Sequence, residues 1–444
     1  MPIFMKIKAL FAVILILWIG SVAGAGGKKI VHLFLKGTIH PITAEYVTKA
    51  IGHAEETHAE VVVFQIETPG GLSESMRTII STMINSKVPV IVYVAPSGSR
   101  ATSAGFYIAV ASDLAVMAPG THLGSAHPVT MGQEGPDTEN SKTMMKKVTE
   151  DSVAYIKTLA ERRGRNVEQA EKAVRDSISF TENEALKANL INFVAGNLQD
   201  LLQKANGMTI RRFDGSTKKL ELENPEVIEF EMTRRQKFLS LLADPNVAFM
   251  LIGLGMLGLM IELYNPGLIL PGIVGVISVA LFLLSVQVLP INYAGLFLIA
   301  FAIVLFVLEI KITSYGILTL GGIVSIILGA TMLIDAPIPE MKIAWRVILT
   351  VVAMIAATMT FLLTLVVTLH RMKPVTGVQG MLQEIGIAQT RIDREGQVFV
   401  RGEIWNAVAS KPIEKGEKVK VLSVHGLTLQ VEKWNETPGP EPGA

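Results

Sequence analysis

The pattern of hydrophobic and polar positions divides the chain into three regions. From Lys28 to about Leu222, the apolar runs KIVHLFLKG, AEVVVFQIE, VPVIVYVA and DLAVMAPG alternate with segments such as ITAEYVTKAIGHAEE and LSESMRTIISTMINS. The first set reads as strands; in the second, apolar residues recur at helical spacing. Strand–helix alternation predicts an α/β domain with a largely parallel sheet covered by helices. Such folds place their chemistry in loops at the C-terminal ends of strands. TPGG (Thr68 to Gly71) and VYVAPSGSRATSAGFYIAVASD (Val92 to Asp113) both fall there.

Five apolar stretches follow, at 246–263, 268–289, 293–310, 316–334 and 345–369. A bilayer is crossed by about 20 apolar residues, so an all-α transmembrane region of about five helices is expected over 246–371. The third and fourth stretches are short enough to be re-entrant. The region carries a faint repeat: IELYNPGLILPGIVGVIS and LEIKITSYGILTLGGIVSII each run Glu, turn, Gly, Gly-Ile-Val. Such repeats can mark a transporter or duplicated hairpins whose glycines allow close packing. Glu262 and Glu309 sit at span ends rather than at mid-membrane, which favours the hairpins.

After the spans, alternating short runs separated by REG, EKGEK and VHG predict a small all-β barrel over 378–434. The Pro/Gly-rich end, 435–444, is expected to be disordered. The stretch 223–245 reads as a linker. At the N-terminus, Lys6 and Lys8 precede an apolar core and Ala23-Gly24-Ala25. These are the parts of a signal peptide, 1–25, or of an uncleaved anchor; either exports residues 26–222. An odd number of spans then puts the C-terminus in the cytoplasm. His370, Arg371 and Lys373 agree with that orientation, whereas Arg234, Arg235 and Lys237 lie on the outer side against the positive-inside rule.

Composition sharpens this picture. The chain has 444 residues, half of them hydrophobic, and a mean hydropathy of +0.44, a surplus that belongs in lipid. Forty basic and thirty-nine acidic residues nearly cancel, so charge gives no pointer to nucleic acid. The absence of cysteine excludes disulfides, thiolate nucleophiles and cysteine-ligated zinc. The histidines lack metal-ligand spacing, and neither a metal nor a cofactor is expected.

Ser103 is the first chemical candidate. It stands between a Gly/Ser-rich loop and an apolar helical run, where helix N–H groups stabilise developing negative charge; its alternative role is a plain N-cap. The double glycine of ETPGG offers a bare backbone N–H. Paired with that of Ala104, the Gly71 N–H would form a two-donor oxyanion hole; alone, Pro-Gly-Gly is an ordinary turn.

TPGG, TSAGFYIA, APGTHLGSAHPV and the tail VRGEIWNA with GLTLQV together resemble the long-form NfeD family of membrane-bound serine proteases, which share the Clp-protease and signal-peptide-peptidase-A superfold. The resemblance covers essentially the whole chain. It implies a Clp/crotonase-like protease domain, an oligonucleotide/oligosaccharide-binding (OB)-like barrel and a Ser–Lys endopeptidase whose domains dimerise. It further implies action on hydrophobic segments of a stomatin-like partner. By the same resemblance the nucleophile is Ser103, Ser97, Ser99 and Ser112 being loop or helix-surface residues. The base is Lys147, in MMKKVTEDSVAYIKTLAERRGRN. Helix geometry agrees: Met145, Val148, Ser152, Tyr155 and Leu159 define a buried stripe that Lys147 flanks.

A lysine accepts a proton at neutral pH only where burial lowers its pKa from about 10.4 to roughly 7–8. The polar stretch before Lys147 suggests that it becomes dry only when substrate or a dimer partner closes over it. His127, in GSAHPV, is the rival base and needs no such tuning, but its acid would have to be a residue such as Asp113 or Glu67. Other classes are a non-catalytic scaffold for a stomatin- or flotillin-like protein, a transporter and an acyl-CoA enzyme. The tail has few aromatics, so a protein partner suits it better than nucleic acid.

Overall fold

The computed structural model describes residues 28–129, 139–264, 267–312, 314–335, 341–371 and 378–435. The expected signal peptide, and all but the first residue of the expected tail, lie outside them.

The first unit opens with the α/β domain. Its strands are β1 (Lys29–Lys36), β2 (Val61–Glu67), β3 (Val90–Val94), β4 (Arg100–Thr102), β5 (Leu114–Met117), β6 (His122–Gly124), β7 (Ser179–Thr181), β8 (Phe193–Val194), β9 (Thr209–Arg211), β10 (Thr217–Lys219) and β11 (Glu226–Glu229). The helices are α1 (Pro41–Glu56), α2 (Ser73–Asn85), α3 (Ala104–Ala111), α4 (Glu139–Arg163), α5 (Val167–Arg175), α6 (Glu182–Lys187) and α7 (Leu198–Ala205). Six strands form a parallel sheet in the order β11-β1-β2-β3-β5-β8.

Both faces of that sheet are buried, which is why its strands read as nearly continuous apolar runs. Along β2, Val62, Phe64 and Ile66 join the core under α1, α2 and α3, while Val61 and Val63 point to the α7 side. β4, β6 and β7 make a small second sheet, and β9–β10 a hairpin.

The stretch read as a linker is structured. Residues 226–229 are the edge strand β11, parallel to β1, and Arg234–Leu242 forms α8. Glu226-Val-Ile-Glu is too short and too charged to stand out as a strand; it is held because β1 offers it an open edge.

Among the described residues, the apolar helices that follow are α9 (Pro245–Tyr264), α10 (Ile269–Val286), α11 (Tyr293–Lys311), α12 (Ile317–Leu333) and α13 (Trp345–Arg371). Among the described residues, three segments are long and apolar enough to cross a membrane: α9, α10 and Trp345–Leu362. The described apolar parts of the other two, Tyr293–Glu309 and Ile317–Leu333, are shorter. The repeat takes the form of two close helix pairs, α9–α10 and α11–α12. The Glu309 carboxylate accepts from the Ser314 hydroxyl (2.7 Å) and the N–H groups of Gly316 (3.0 Å) and Thr319 (2.9 Å). Glu262 accepts from the Gly267 N–H (3.3 Å). Each carboxylate therefore bonds to the turn that follows it, with Glu309 also holding the start of α12.

The second unit contains the short α14 (Val378–Met381) and a closed barrel of β12 (Ile385–Ala388), β13 (Glu395–Val400), β14 (Glu403–Ala409), β15 (Lys418–His425) and β16 (Thr428–Lys433). The order around it is β12-β13-β14-β16-β15. Alternate residues, among them Val398, Val400, Val419, Val421, Leu429 and Val431, fill its interior. The expected α/β domain, membrane bundle and small β-barrel are all present.

Candidate active site

β4 runs straight into α3, and Ser103 is the single residue between them. Its backbone is at φ 52°, ψ −119°, a conformation costly for a side-chain-bearing residue and of the kind that clusters at functional sites. Its N–H donates to the Gly124 carbonyl (3.0 Å), which ties the turn to β6. All eight residues of α3 are buried, so a fixed helix carries the serine.

The TPGG loop is pinned against this turn. The Thr68 N–H donates to the Arg100 carbonyl (2.8 Å) and the Thr102 N–H to the Thr68 carbonyl (3.2 Å). A Cβ added at Gly105 would fall 2.5 Å from Thr68 Cγ2, and one at Gly70 would fall 2.6 Å from Ser103 Cβ and 3.0 Å from its Oγ. Close approach is thus what these glycines supply. Gly71 bridges Ile39 in parallel register. The bonds there run from the Ile39 N–H to the Gly70 carbonyl and from the Leu72 N–H to the Ile39 carbonyl, both 2.8 Å. The Gly71 N–H consequently faces away from Ile39. The Ala104 N–H is the first of α3 and has no acceptor within the helix.

Gly71, Ser103, Ala104 and His127 all line one cleft of about 180 Å³. Its far wall is α4, through Val148, Asp151, Ser152 and Tyr155, and Met76 and Tyr107 add apolar surface. Tyr155 stacks on Tyr107 with ring centroids 6.1 Å apart. The Arg77 guanidinium lies 4.4 Å from the Tyr155 centroid and bonds to Asp151 (2.6 Å). Burial holds the Tyr107 hydroxyl above its ordinary pKa. Tyr155 belongs to the stripe that the helical spacing picked out, but Tyr107 and Arg77 had no signal as cleft residues, because only tertiary packing brings α2, α3 and α4 together.

The two candidate bases are placed differently. His127 is in the cleft, and its Nδ1 donates to the Val174 carbonyl (2.9 Å). Lys147 is exposed on α4, one residue before Val148, and is not part of the cleft lining. The buried positions of α4 are Val153, Ile156, Leu159 and Ala160. The expected stripe through Met145 and Val148 is half-buried instead, because the cleft opens under the first half of the helix.

Neither proposed acid serves His127. Asp113 is fully buried between Arg163 and Arg212, at 2.6 Å from each, and accepts the Val90 N–H (2.8 Å). Glu67 pairs with Lys36 (3.2 Å). Ser112, expected on the surface, is buried with its hydroxyl on the Ala109 carbonyl (2.7 Å). Among the described residues no cluster of His, Asp and Glu could hold a metal ion.

An apolar helix bundle carrying an α/β domain, with a strained serine in one cleft with Gly71, Ala104 and His127, defines a membrane protein of mixed α/β and all-α architecture. Residues 29–230 match the NfeD1b N-terminal domain, 246–365 the NfeD integral membrane domain and 378–433 the NfeD-like C-terminal, partner-binding domain. The membrane-bound protease PH1510 of Pyrococcus horikoshii is 35% identical, over 97% of this chain and 99% of that one. The membrane protein NfeD1b of Bacillus subtilis is 25% identical over 88% of this chain and 89% of its own. The chain belongs to the NfeD family.

Similar solved structures include a serine-to-alanine mutant of the 1510-N membrane-bound stomatin-specific protease, at 35% identity and TM-score 0.43, covering 47% of this chain and all of that one. A lysine-to-alanine mutant of that protease in complex with a substrate peptide has 35% identity and TM-score 0.44, covering 49% of this chain and 98% of its own.

Proposed function

We propose that this protein is a membrane-anchored serine endopeptidase that cleaves hydrophobic segments of a stomatin-like partner. The observation that carries the reading is the backbone of Ser103 at φ 52°, ψ −119°, in a cleft shared with Gly71 and Ala104. In this mechanism the Ser103 Oγ attacks the scissile carbonyl carbon while Lys147, as the free amine, takes its proton. The oxyanion accepts from the N–H groups of Gly71 and Ala104, each donor being worth about 3–4 kcal/mol in the transition state. Collapse breaks the C–N bond, the proton passes from Lys147 to the leaving amine, and water hydrolyses the acyl-enzyme. The apolar wall of Met76, Tyr107, Val148 and Tyr155 suits a hydrophobic substrate.

Lys147 serves only once substrate or a second protomer covers the α4 wall and excludes water, which fits a dimeric enzyme ordered on binding. The α/β domain is read as extracytoplasmic and the barrel as cytoplasmic, docking the partner. A Ser103–His127 pair is the second reading, favoured by the His127 Nδ1 bond to Val174.

The test is fragment mapping of a stomatin-like membrane protein incubated with the full-length enzyme, against Ser103→Ala as control. Lys147→Ala is expected to abolish cleavage and His127→Ala to leave most of it. The reverse outcome transfers the base to His127; fragments that persist with Ser103→Ala overturn the proposal.

A further inference from the structure

One helix between the α/β domain and the first membrane helix is held on one side and open on the other. In α8, Gln236 and Leu242 are buried, and the Ser240 hydroxyl lies 3.3 Å from His40 Nε2. The helix packs against α1 and also against α9 and α10. Its opposite face is exposed: Arg234, Lys237, Phe238 and Leu241 recur at helical spacing (i, i+3, i+4, i+7). Phe238 is 47% and Leu241 56% accessible, which is unusual for two large apolar neighbours on a nine-residue helix.

The position of this face identifies what covers it. α8 ends at Leu242 and α9 starts at Pro245. The Asp244 carboxylate between them accepts the N–H groups of Asn246 (2.7 Å) and Val247 (3.4 Å), fixing the start of α9. The open face therefore lies where the chain enters the apolar phase. Along it the basic residues come first and the apolar pair stands next to the membrane helix, the order in which a leaflet presents phosphates and then acyl chains. Lys237 also contacts Glu231 (2.7 Å), and neighbouring Arg235 contacts Glu45 (3.5 Å); pairs this exposed hold their partners weakly and leave the basic groups available.

We propose that this face of α8 is a membrane-surface anchor. Arg234 and Lys237 take anionic phospholipid headgroups, and Phe238 and Leu241 enter the upper acyl region, seating the α/β domain on the leaflet it faces. The anchor gives the basic residues that break the positive-inside pattern a role other than setting topology. It does not depend on the chemistry at Ser103.

The chain has no cysteine, so one introduced thiol reports one position. Full-length Phe238→Cys, Leu241→Cys and Lys219→Cys are labelled with a polarity-sensitive dye and reconstituted in vesicles of zwitterionic and anionic phospholipid. Lys219 lies in β10, whose neighbouring Lys218 bonds to the Glu60 carbonyl beside the start of β2, the end of the sheet remote from the cleft. Expected are a blue shift and quenching by headgroup-level nitroxide lipid at 238 and 241, and neither at 219. Adding Arg234→Gln and Lys237→Gln is expected to remove the dependence of quenching on anionic lipid. Labels at 238 and 241 that respond to aqueous iodide as 219 does, and ignore nitroxide lipid, overturn the anchor. A blue shift that persists in detergent and rises with protein concentration assigns the face to a second copy and overturns it equally. If Phe238→Cys fails to fold, the 241 label carries the test.

Discussion

The strain at Ser103 yields a prediction that separates backbone energetics from chemistry. At φ 52°, ψ −119° any residue with a Cβ is destabilised by about 1–3 kcal/mol, whereas glycine is not. Ser103→Ala removes the hydroxyl and keeps the strain; Ser103→Gly removes both. At an ordinary helix start glycine would be the less stable of the two, by roughly 0.5–1 kcal/mol from its greater freedom in the unfolded chain. Here relief of strain outweighs that term, so Ser103→Gly should be more stable than Ser103→Ala by about 0.5–2 kcal/mol. For a domain of this size each kcal/mol moves Tm by about 2–4 °C. Thermal unfolding of the two variants, purified in the same detergent, measures the difference. A glycine variant that melts at or below the alanine variant would refute the strained turn, and with it the main support for Ser103 as nucleophile.

Further predictions test other parts of the molecule. Gly70→Ala places a Cβ 2.6 Å from that of Ser103, so peptidase activity should be lost while the circular dichroism spectrum is kept. His40 is buried, and burial lowers its pKa from 6.5 to about 4. The folded protein keeps it neutral where the unfolded chain takes up a proton, so its stability is complete above pH 6.5 and falls towards pH 4, by about 3 kcal/mol in all. His40→Asn should flatten the fall in Tm over that window; an unchanged slope counts against the assignment. Asp113→Asn leaves the guanidinium groups of Arg163 and Arg212 without their shared carboxylate; a loss of about 3–5 kcal/mol is expected in chemical unfolding. Deleting 378–444 should abolish capture of the stomatin-like partner and leave cleavage of a short apolar peptide intact, as read by pull-down and peptide assay.

Much of this protein is legible in its sequence, because burial imposes a period. Strands buried on both faces had to be apolar runs, and helices meeting lipid had to be long apolar stretches, so the three regions follow from local pattern. The repeated Glu-to-glycine hairpins and the alternating runs of the barrel are visible for the same reason. The glycines of TPGG are also legible, since an approach that close accepts few residue types; at Ser103 the sequence shows only a serine ahead of an apolar helix, and its strained backbone belongs to the structure.

What the pattern leaves open depends on neighbours distant in the chain. β11 exists because β1 has a free edge, and a four-residue charged segment carries no mark of that. Asp113 reads in the sequence as a candidate acid, and two arginines, 50 and 99 residues away, enclose it in the fold. The cleft wall of Tyr107, Tyr155 and Arg77 comes from three separate helices, and the exposure of Lys147 and the open face of α8 depend on which neighbours those helices meet. Periodicity assigns a residue to the inside or outside of its own element. Only the packing of elements against one another decides which outside faces meet, and that brought Ser103, Gly71, Ala104 and His127 into one cleft and left Lys147 outside its lining.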